Sequence, residues 1–194
     1  MSAMTIAKSE LILGGQKSGK SRRAEQLAQQ WLAQSAEHRA VLVATARPWD
    51  DEMRERIRRH QQDRAERVPG MVTVEEPLQL ARALTQHSAA NTLVVVDCLT
   101  LWLTNLLMPA PGLELEAPAQ AAREQAALLV KAIASALGPV VMVGNEIGLG
   151  VIPLGRETRA FVDALGQLNQ QVAAACARVT LMAAGLPLTL KASS

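Results

Sequence analysis

An α/β fold, a mostly parallel sheet with helices on both faces, is predicted by three observations. Strand-like runs alternate with helix-like segments along the chain, those runs are continuously apolar, and the first of them ends in a glycine-rich turn that opens a helix. A continuously apolar strand is buried on both sides, so a layer of helices is needed on each. Ligands in such sheets gather beyond the carboxyl ends of the strands, where the polar residues carrying function are expected to collect.

The elements follow in order. LILGG at residues 11–15 is the first strand candidate, and RRAEQLAQQWLAQS at 22–35 reads as a helix. AVLVATA at 40–46, TLVVVDCL at 92–99 and PVVMVGN at 139–145 repeat the buried-strand pattern, and RVTLMAAG at 178–185 and PLTLK at 187–191 close the chain. Helices are expected at residues 49–67, 78–87, 118–137 and 156–178 between them. MPAPGLELEAPAQ, at 108–120, is a Pro-rich connection and the expected mobile loop. No repeat or linker divides the 194 residues, so residues 1–194 are expected to form a single domain.

Gly14, Gly19, Lys20 and Ser21 satisfy G-x-x-x-x-G-K-[ST] between a strand and a helix, the context in which that spacing holds phosphate. Glycines let backbone N–H groups turn onto an anion, and the new helix N-terminus adds partial positive charge. Lys20 can then reach the outer phosphates and Ser21 can ligate Mg²⁺. The plainer alternative is a glycine-rich turn capped by Ser21. Asp97 ends LVVVD, where a phosphate-binding fold sets a carboxylate beside Mg²⁺ and where an Asp can equally cap the next turn. Asn145 and Glu146 end VVMVGNE in the same way, as a substrate-side loop or a turn cap.

Composition limits the alternatives. Apolar residues make up 49% of the chain, which argues against disorder, and a formal net charge of +2 gives no broad basic footprint for nucleic acid. Four aromatic residues, Trp31, Trp49, Trp102 and Phe161, leave little for base stacking. Cys98 and Cys176 lack metal-ligand spacing and read as small buried thiols in a reducing compartment. No apolar run reaches transmembrane length and MSAMTIAKSE lacks a signal-peptide core, so a cytoplasmic protein is expected.

His38 and His87 sit in polar connections and read as solvated surface, whereas His60 lies in DDEMRERIRRHQQDRAER. Helical spacing stacks Arg56, His60 and Arg64 on one face. Two flanking guanidiniums disfavour the imidazolium, keep the ring nucleophilic and can hold a phosphate against it. A charged helix with one His is also a common solvated surface, and residue types alone leave both readings open.

GGQKSGKSRRAE, VATARPWDDEMRERIRRH, VDCLTLWLTNLL and the long run from NEIGLGVIP to PLTLK together resemble the bifunctional adenosylcobinamide kinase and adenosylcobinamide-phosphate guanylyltransferase family of cobalamin biosynthesis. The resemblance covers nearly the whole chain in the family's order and implies a P-loop NTPase fold of the RecA-like kind. It implies two reactions. The first moves a terminal phosphoryl group from ATP or GTP to the aminopropanol hydroxyl of adenosylcobinamide. In the second a histidine, matched by His60, takes GMP from GTP, releases pyrophosphate and passes GMP to the corrinoid phosphate. The nucleotide contacts it implies fall on Gly14, Gly15, Gln16, Lys17, Ser18, Gly19, Lys20 and Ser21, on Ala44, Thr45 and Ala46, on Gln61, Gln62, Asp63 and Arg64, on Glu75 and on Asp97. Ser21 and Asp97 would serve Mg²⁺, Lys20 and His60 would be catalytic, and a homo-oligomer, often a trimer in the family, is implied as well.

Lys17 stands where the family commonly has Arg, which keeps the charge and loses the planar fork. Residues 68–71 and Leu154–Gly155 also depart from the family pattern. Two other readings remain on residue types: a P-loop kinase of another small metabolite that does not use His60, and a P-loop ATPase that contacts a partner or nucleic acid through the arginine-rich helix. Acidic residues interleaved there, Glu52, Glu55, Asp63 and Glu66, weaken the second.

Overall fold

The computed structural model describes residues 5–48, 51–109, 112 and 116–192, without the side chains of residues 52, 53, 56, 57 and 60. In chain order the elements are β1 (Ser9–Gly14), α1 (Lys20–Gln34), β2 (Arg39–Ala44), α2 (Asp51–Arg67), β3 (Met71–Glu75), α3 (Leu80–His87) and β4 (Thr92–Asp97). There follow α4 (Leu99–Leu107), α5 (Pro118–Ser135), β5 (Val140–Val143), α6 (Arg156–Ala175), β6 (Arg178–Ala183) and β7 (Leu186–Lys191). The strands join one sheet in the order β3-β2-β4-β5-β1-β6-β7, parallel throughout except for the β6–β7 pair.

Strand alternation divides the core into two layers. Leu11, Leu13, Val94, Val96 and Met142 pack against Leu84, Trp102, Leu129, Leu165 and Val172 of α3 to α6. Ile12, Leu42, Leu93, Val95, Val141 and Val143 point the other way, onto Ala24, Leu27 and Ala28 of α1 and onto Val68. Both faces being covered, the central strands can be apolar at every position, as expected of a parallel sheet. One charge is buried among them: Glu10 of β1 pairs with Arg23 of α1 at 2.8 Å and accepts a hydrogen bond from Thr180 of β6 at 2.8 Å, tying the first helix to the sheet.

Several boundaries differ from the sequence expectation. The run at 92–99 is not one strand: β4 stops at Asp97, Cys98 caps the next helix in extended conformation, and Leu99 opens α4. LTLWLTNLL is a helix absent from the sequence expectation, since nine mostly apolar residues are too few to tell helix from strand by period. Its Trp102 is fully buried, with the indole N–H donating to the Leu78 carbonyl at 2.9 Å. β3, missing from the strand candidates, is a short edge strand with mostly exposed side chains, so it lacks their buried pattern. α6 ends at Ala175 instead of 178 because Arg178 already pairs with Glu10 in the β1–β6 ladder. His38 is not a solvated side chain: its ring stacks on Trp31 with centroids 3.8 Å apart. His87 closes α3, in keeping with the helix expected at 78–87, and is half-buried instead of solvated surface. Trp49 and Asp50, expected to start the second helix, and residues 110, 111 and 113–115 of the Pro-rich connection lie outside the described residues.

Candidate active site

The GGQKSGKS segment leaves the carboxyl end of β1 and enters α1 at Lys20. Gly14 cannot carry a side chain: a Cβ there would lie 2.5 Å from both the Met182 carbonyl oxygen and Ser18 Oγ. Gly19 caps the helix at φ 101°, a left-handed conformation that glycine adopts without a steric penalty. The turn is braced from the hairpin of the neighbouring strand, far along the chain. Ala184 and Gly185, both at positive φ, make the two-residue turn of the β6–β7 hairpin, and the Gly185 N–H donates to the Ser18 carbonyl at 3.0 Å. Gly15, Gln16 and Lys17 form the exposed rim, while Ser18 and Lys20 are buried. The buried Ser18 hydroxyl has no hydrogen-bond partner among the described residues and packs against Gly14. Lys20 Nζ folds back to donate to the Gly15 carbonyl at 2.5 Å. Burial lowers its pKa, partly offset by Cys98 and Asp97 nearby.

Register places three candidates side by side. Ala44 lies opposite Glu75 on β3 and opposite Asp97 on β4, so all three sit at the carboxyl edge of the sheet. β5 separates β4 from β1, and Ser21 Oγ crosses that gap to donate to Asp97 Oδ2 at 3.2 Å. A hydroxyl and a carboxylate are the hard oxygen donors Mg²⁺ accepts, with phosphate oxygens and water completing its octahedron. The residues present therefore fit a nucleotide-bound Mg²⁺. Among the described residues no group of three or more His, Cys, Asp or Glu side chains is placed to hold a metal without the nucleotide.

The histidine helix closes over the same edge. His60 lies on α2, and its side chain, like that of Arg56, is outside what the structure describes. One turn later, Arg64 is buried with Nη2 3.7 Å from Asp97 Oδ2 and Nε 4.0 Å from Glu25 Oε1. Gln61 Nε2 donates to Glu75 Oε1 at 3.3 Å. Gln61 and Arg64 share a helix face and reach the strand ends. Gln62 is exposed, and Asp63 pairs with Arg67 at 3.2 Å. Ala44 and Ala46 are half-buried beside Thr45, which is fully buried, and the Thr45 hydroxyl bonds both the carbonyl and the N–H of Cys98 at 2.8 Å. Thr45 thus fixes the chain just beyond Asp97.

Two supporting residues were not singled out from the sequence. Glu25 anchors α2 to α1 through Arg64 and Arg67, and the Ser21-to-Glu25 spacing of four was the available signal for a shared face. Asn105 of α4 is buried and donates to the carbonyls of Thr45 at 2.8 Å and Pro77 at 3.1 Å. A lone Asn in an apolar run carries no such partner information.

The model of the cobinamide kinase / cobinamide phosphate guanyltransferase family matches residues 10–190. The bifunctional adenosylcobalamin biosynthesis protein CobP of Pseudomonas aeruginosa is 45% identical over 183 residues, covering 94% of this chain and 96% of the relative. The bifunctional adenosylcobalamin biosynthesis protein CobU of Escherichia coli K12 is 35% identical over 187 residues, covering 93% and 98%. The flagellar accessory protein FlaH of Methanocaldococcus jannaschii superposes with a TM-score of 0.54 at 12% identity, over 98% of this chain and 81% of that one. That likeness shows the fold alone, a mostly parallel sheet covered by helices. A sheet with phosphate loop, carboxylate and histidine helix at one edge, matched over nearly its full length, places the chain in the cobinamide kinase / cobinamide phosphate guanyltransferase family.

Proposed function

We propose that the kinase and the guanylyltransferase reactions of this family use one nucleotide-binding edge, with His60 as the residue that carries GMP. The contact between Arg64 and Asp97 at 3.7 Å carries the reading, because it joins the histidine helix to the carboxylate beside the phosphate loop. In the kinase step the corrinoid hydroxyl oxygen bonds to the γ-phosphorus of ATP or GTP. The bond to the β-phosphate bridge breaks, the nucleoside diphosphate leaves and the hydroxyl proton is released. Phosphoryl transfer rests on positioning and charge stabilisation, which fall to the N–H groups of the Gly14–Ser21 loop and to Lys20. Mg²⁺ held by Ser21 and Asp97 would neutralise charge on the phosphate oxygens.

In the second step an imidazole nitrogen of His60 bonds to the α-phosphorus of GTP and pyrophosphate leaves. A phosphate oxygen of the corrinoid phosphate then bonds to the same phosphorus, the P–N bond breaks and His60 is restored. Arg64 and Gln61 position α2 over the strand ends for this transfer. The proposal extends to a cytoplasmic homo-oligomer, trimeric as in the family. Two free buried thiols support a reducing compartment. Leu186, Leu188 and Leu190, alternate residues exposed on edge strand β7, offer an apolar face for a second subunit. Among the described residues no helix is long and apolar enough to cross a membrane.

The test is intact mass after incubation with Mg²⁺ and GTP. Wild type gains one acid-labile GMP and His60→Ala gains none. An unlabelled wild type with active kinase would remove His60 from the mechanism and leave the first reaction alone.

A further inference from the structure

We infer that the corrin ring docks in the cleft between the 145–155 loop and α6, an inference that rests on the substrate being a corrinoid. The loop leaves β5 at the edge where β1 delivers the phosphate cradle, and the Glu146 N–H donates to the Gly14 carbonyl at 3.1 Å. Its next residue, Ile147, lines the cleft, which therefore begins one residue along the chain from that contact with the phosphate loop. The loop is held in place. Asn145 N–H donates to Thr100 Oγ1 at 2.9 Å, Asn169 donates to the Asn145 carbonyl at 3.1 Å, and Arg159 donates to the carbonyls of Pro153 at 3.0 Å and Leu154 at 2.5 Å.

The two walls differ in chemistry. On the loop side Ile147, Val151 and Ile152 are apolar, with Val151 95% and Ile152 76% exposed, a concentration of bare aliphatic surface that marks a binding face. On the helix side Arg159, Asp163, Gln167 and Gln170 follow one another at four-, four- and three-residue intervals and form a single polar row. The space between is about 520 Å³, the scale of a ligand site and room for one side of a corrinoid, with the rest of the ring left over its open mouth. A corrin is a broad, methyl-covered ring fringed with carboxamide arms. Its faces suit the aliphatic loop, and its amides can both donate to and accept from the glutamines and Asp163. A polyphosphate suits the cleft poorly, since Asp163 faces it and Arg159 is already bonded to the loop. A ring seated here extends away from Gly14 while its aminopropanol arm returns toward the transferred phosphate.

The test is equilibrium binding of cobinamide, read from its visible absorbance after dialysis, by wild type, Ile152→Asp and Gln167→Ala. GTP-dependent labelling and sedimentation are measured on the same samples. Ile152→Asp is expected to weaken cobinamide binding at least tenfold and Gln167→Ala severalfold, with GMP labelling and subunit number as in wild type. Equal binding by wild type and both variants would overturn the placement while leaving the substrate reading intact. Loss of cobinamide binding together with dissociation of the oligomer would make the loop a subunit contact and overturn it also. Wild type that binds no cobinamide at any attainable concentration would overturn the substrate reading itself, and the inference with it.

Discussion

On the proposed reading, Lys20 is the residue on which both reactions depend most directly. Its ammonium is buried against the loop, in a site whose desolvation disfavours the charge until phosphate arrives. Lys20→Met removes the buried cation of the cradle while keeping its aliphatic stem, and leaves Lys17 on the exposed rim. Kinase turnover is expected to fall by about 10²- to 10³-fold, the loss seen when one preorganised charge-stabilising donor is removed. The melting temperature should stay level or rise, because the variant no longer buries an ammonium. A kinase rate within threefold of wild type would show that the loop N–H groups suffice. The sequence exposed Lys20 fully, since its spacing from Gly14 and Gly19 is local. It said nothing of Glu25, whose partners Arg64 and Arg67 lie on another helix.

At the scale of elements, the described side chains that tie α2 to the rest of the fold lie in its second half. Gln61 reaches β3, Arg64 reaches β4 and α1, and Arg67 reaches Glu25. Arg64→Met takes one partner from Glu25, which keeps Arg67, and the guanidinium from Asp97, which keeps the Ser21 hydroxyl, both in a partly buried position. Breaking such a pair costs roughly 2 to 3 kcal/mol here, at or below the usual range for buried pairs because Asp97 keeps some solvent contact. Amide exchange across α2 should accelerate more than across α5, and GMP labelling should drop more than kinase turnover. Uniform acceleration over both helices would mean that Arg64 supports the whole fold instead of the histidine helix. Helical spacing placed Arg64 on the His60 face from sequence alone. That it turns inward onto Asp97 follows from the way β4 and α1 meet, which spacing does not encode.

For the whole molecule, the buried thiols give stability a pH dependence. Burial pushes Cys98 up to about 11 and Cys176 up to about 12 from a usual thiol value of 9.0. A folded-state pKa above the unfolded one adds stability that is complete below pH 9 and is lost as pH rises through the folded value. Between pH 9 and 11 each thiol should contribute a decline of about 1.4 kcal/mol per pH unit at most. Urea midpoints of wild type should therefore fall more steeply over that interval than those of the Cys98→Ala/Cys176→Ala variant. Parallel slopes would mean the thiols ionise equally well in both states.

The amino-acid sequence by itself determined the layered α/β class, the strands of the buried centre and the phosphate loop, because burial on two faces and the glycine spacing are both properties of short contiguous segments. It also carried the family pattern, from GGQKSGKS through His60 to NEIGLGVIP. Tertiary structure decided the rest. Only the sheet order sets β5 between β1 and β4 and leaves Ser21 to reach across to Asp97. Only the β6–β7 turn, some 170 residues away in the chain, shows what braces Ser18. α4 and β3 escaped the sequence reading for opposite reasons, one being a short, mostly apolar and buried stretch and the other an edge with little burial. Contacts between distant segments depend on how elements pack, and a linear pattern records the faces of those elements without recording their partners.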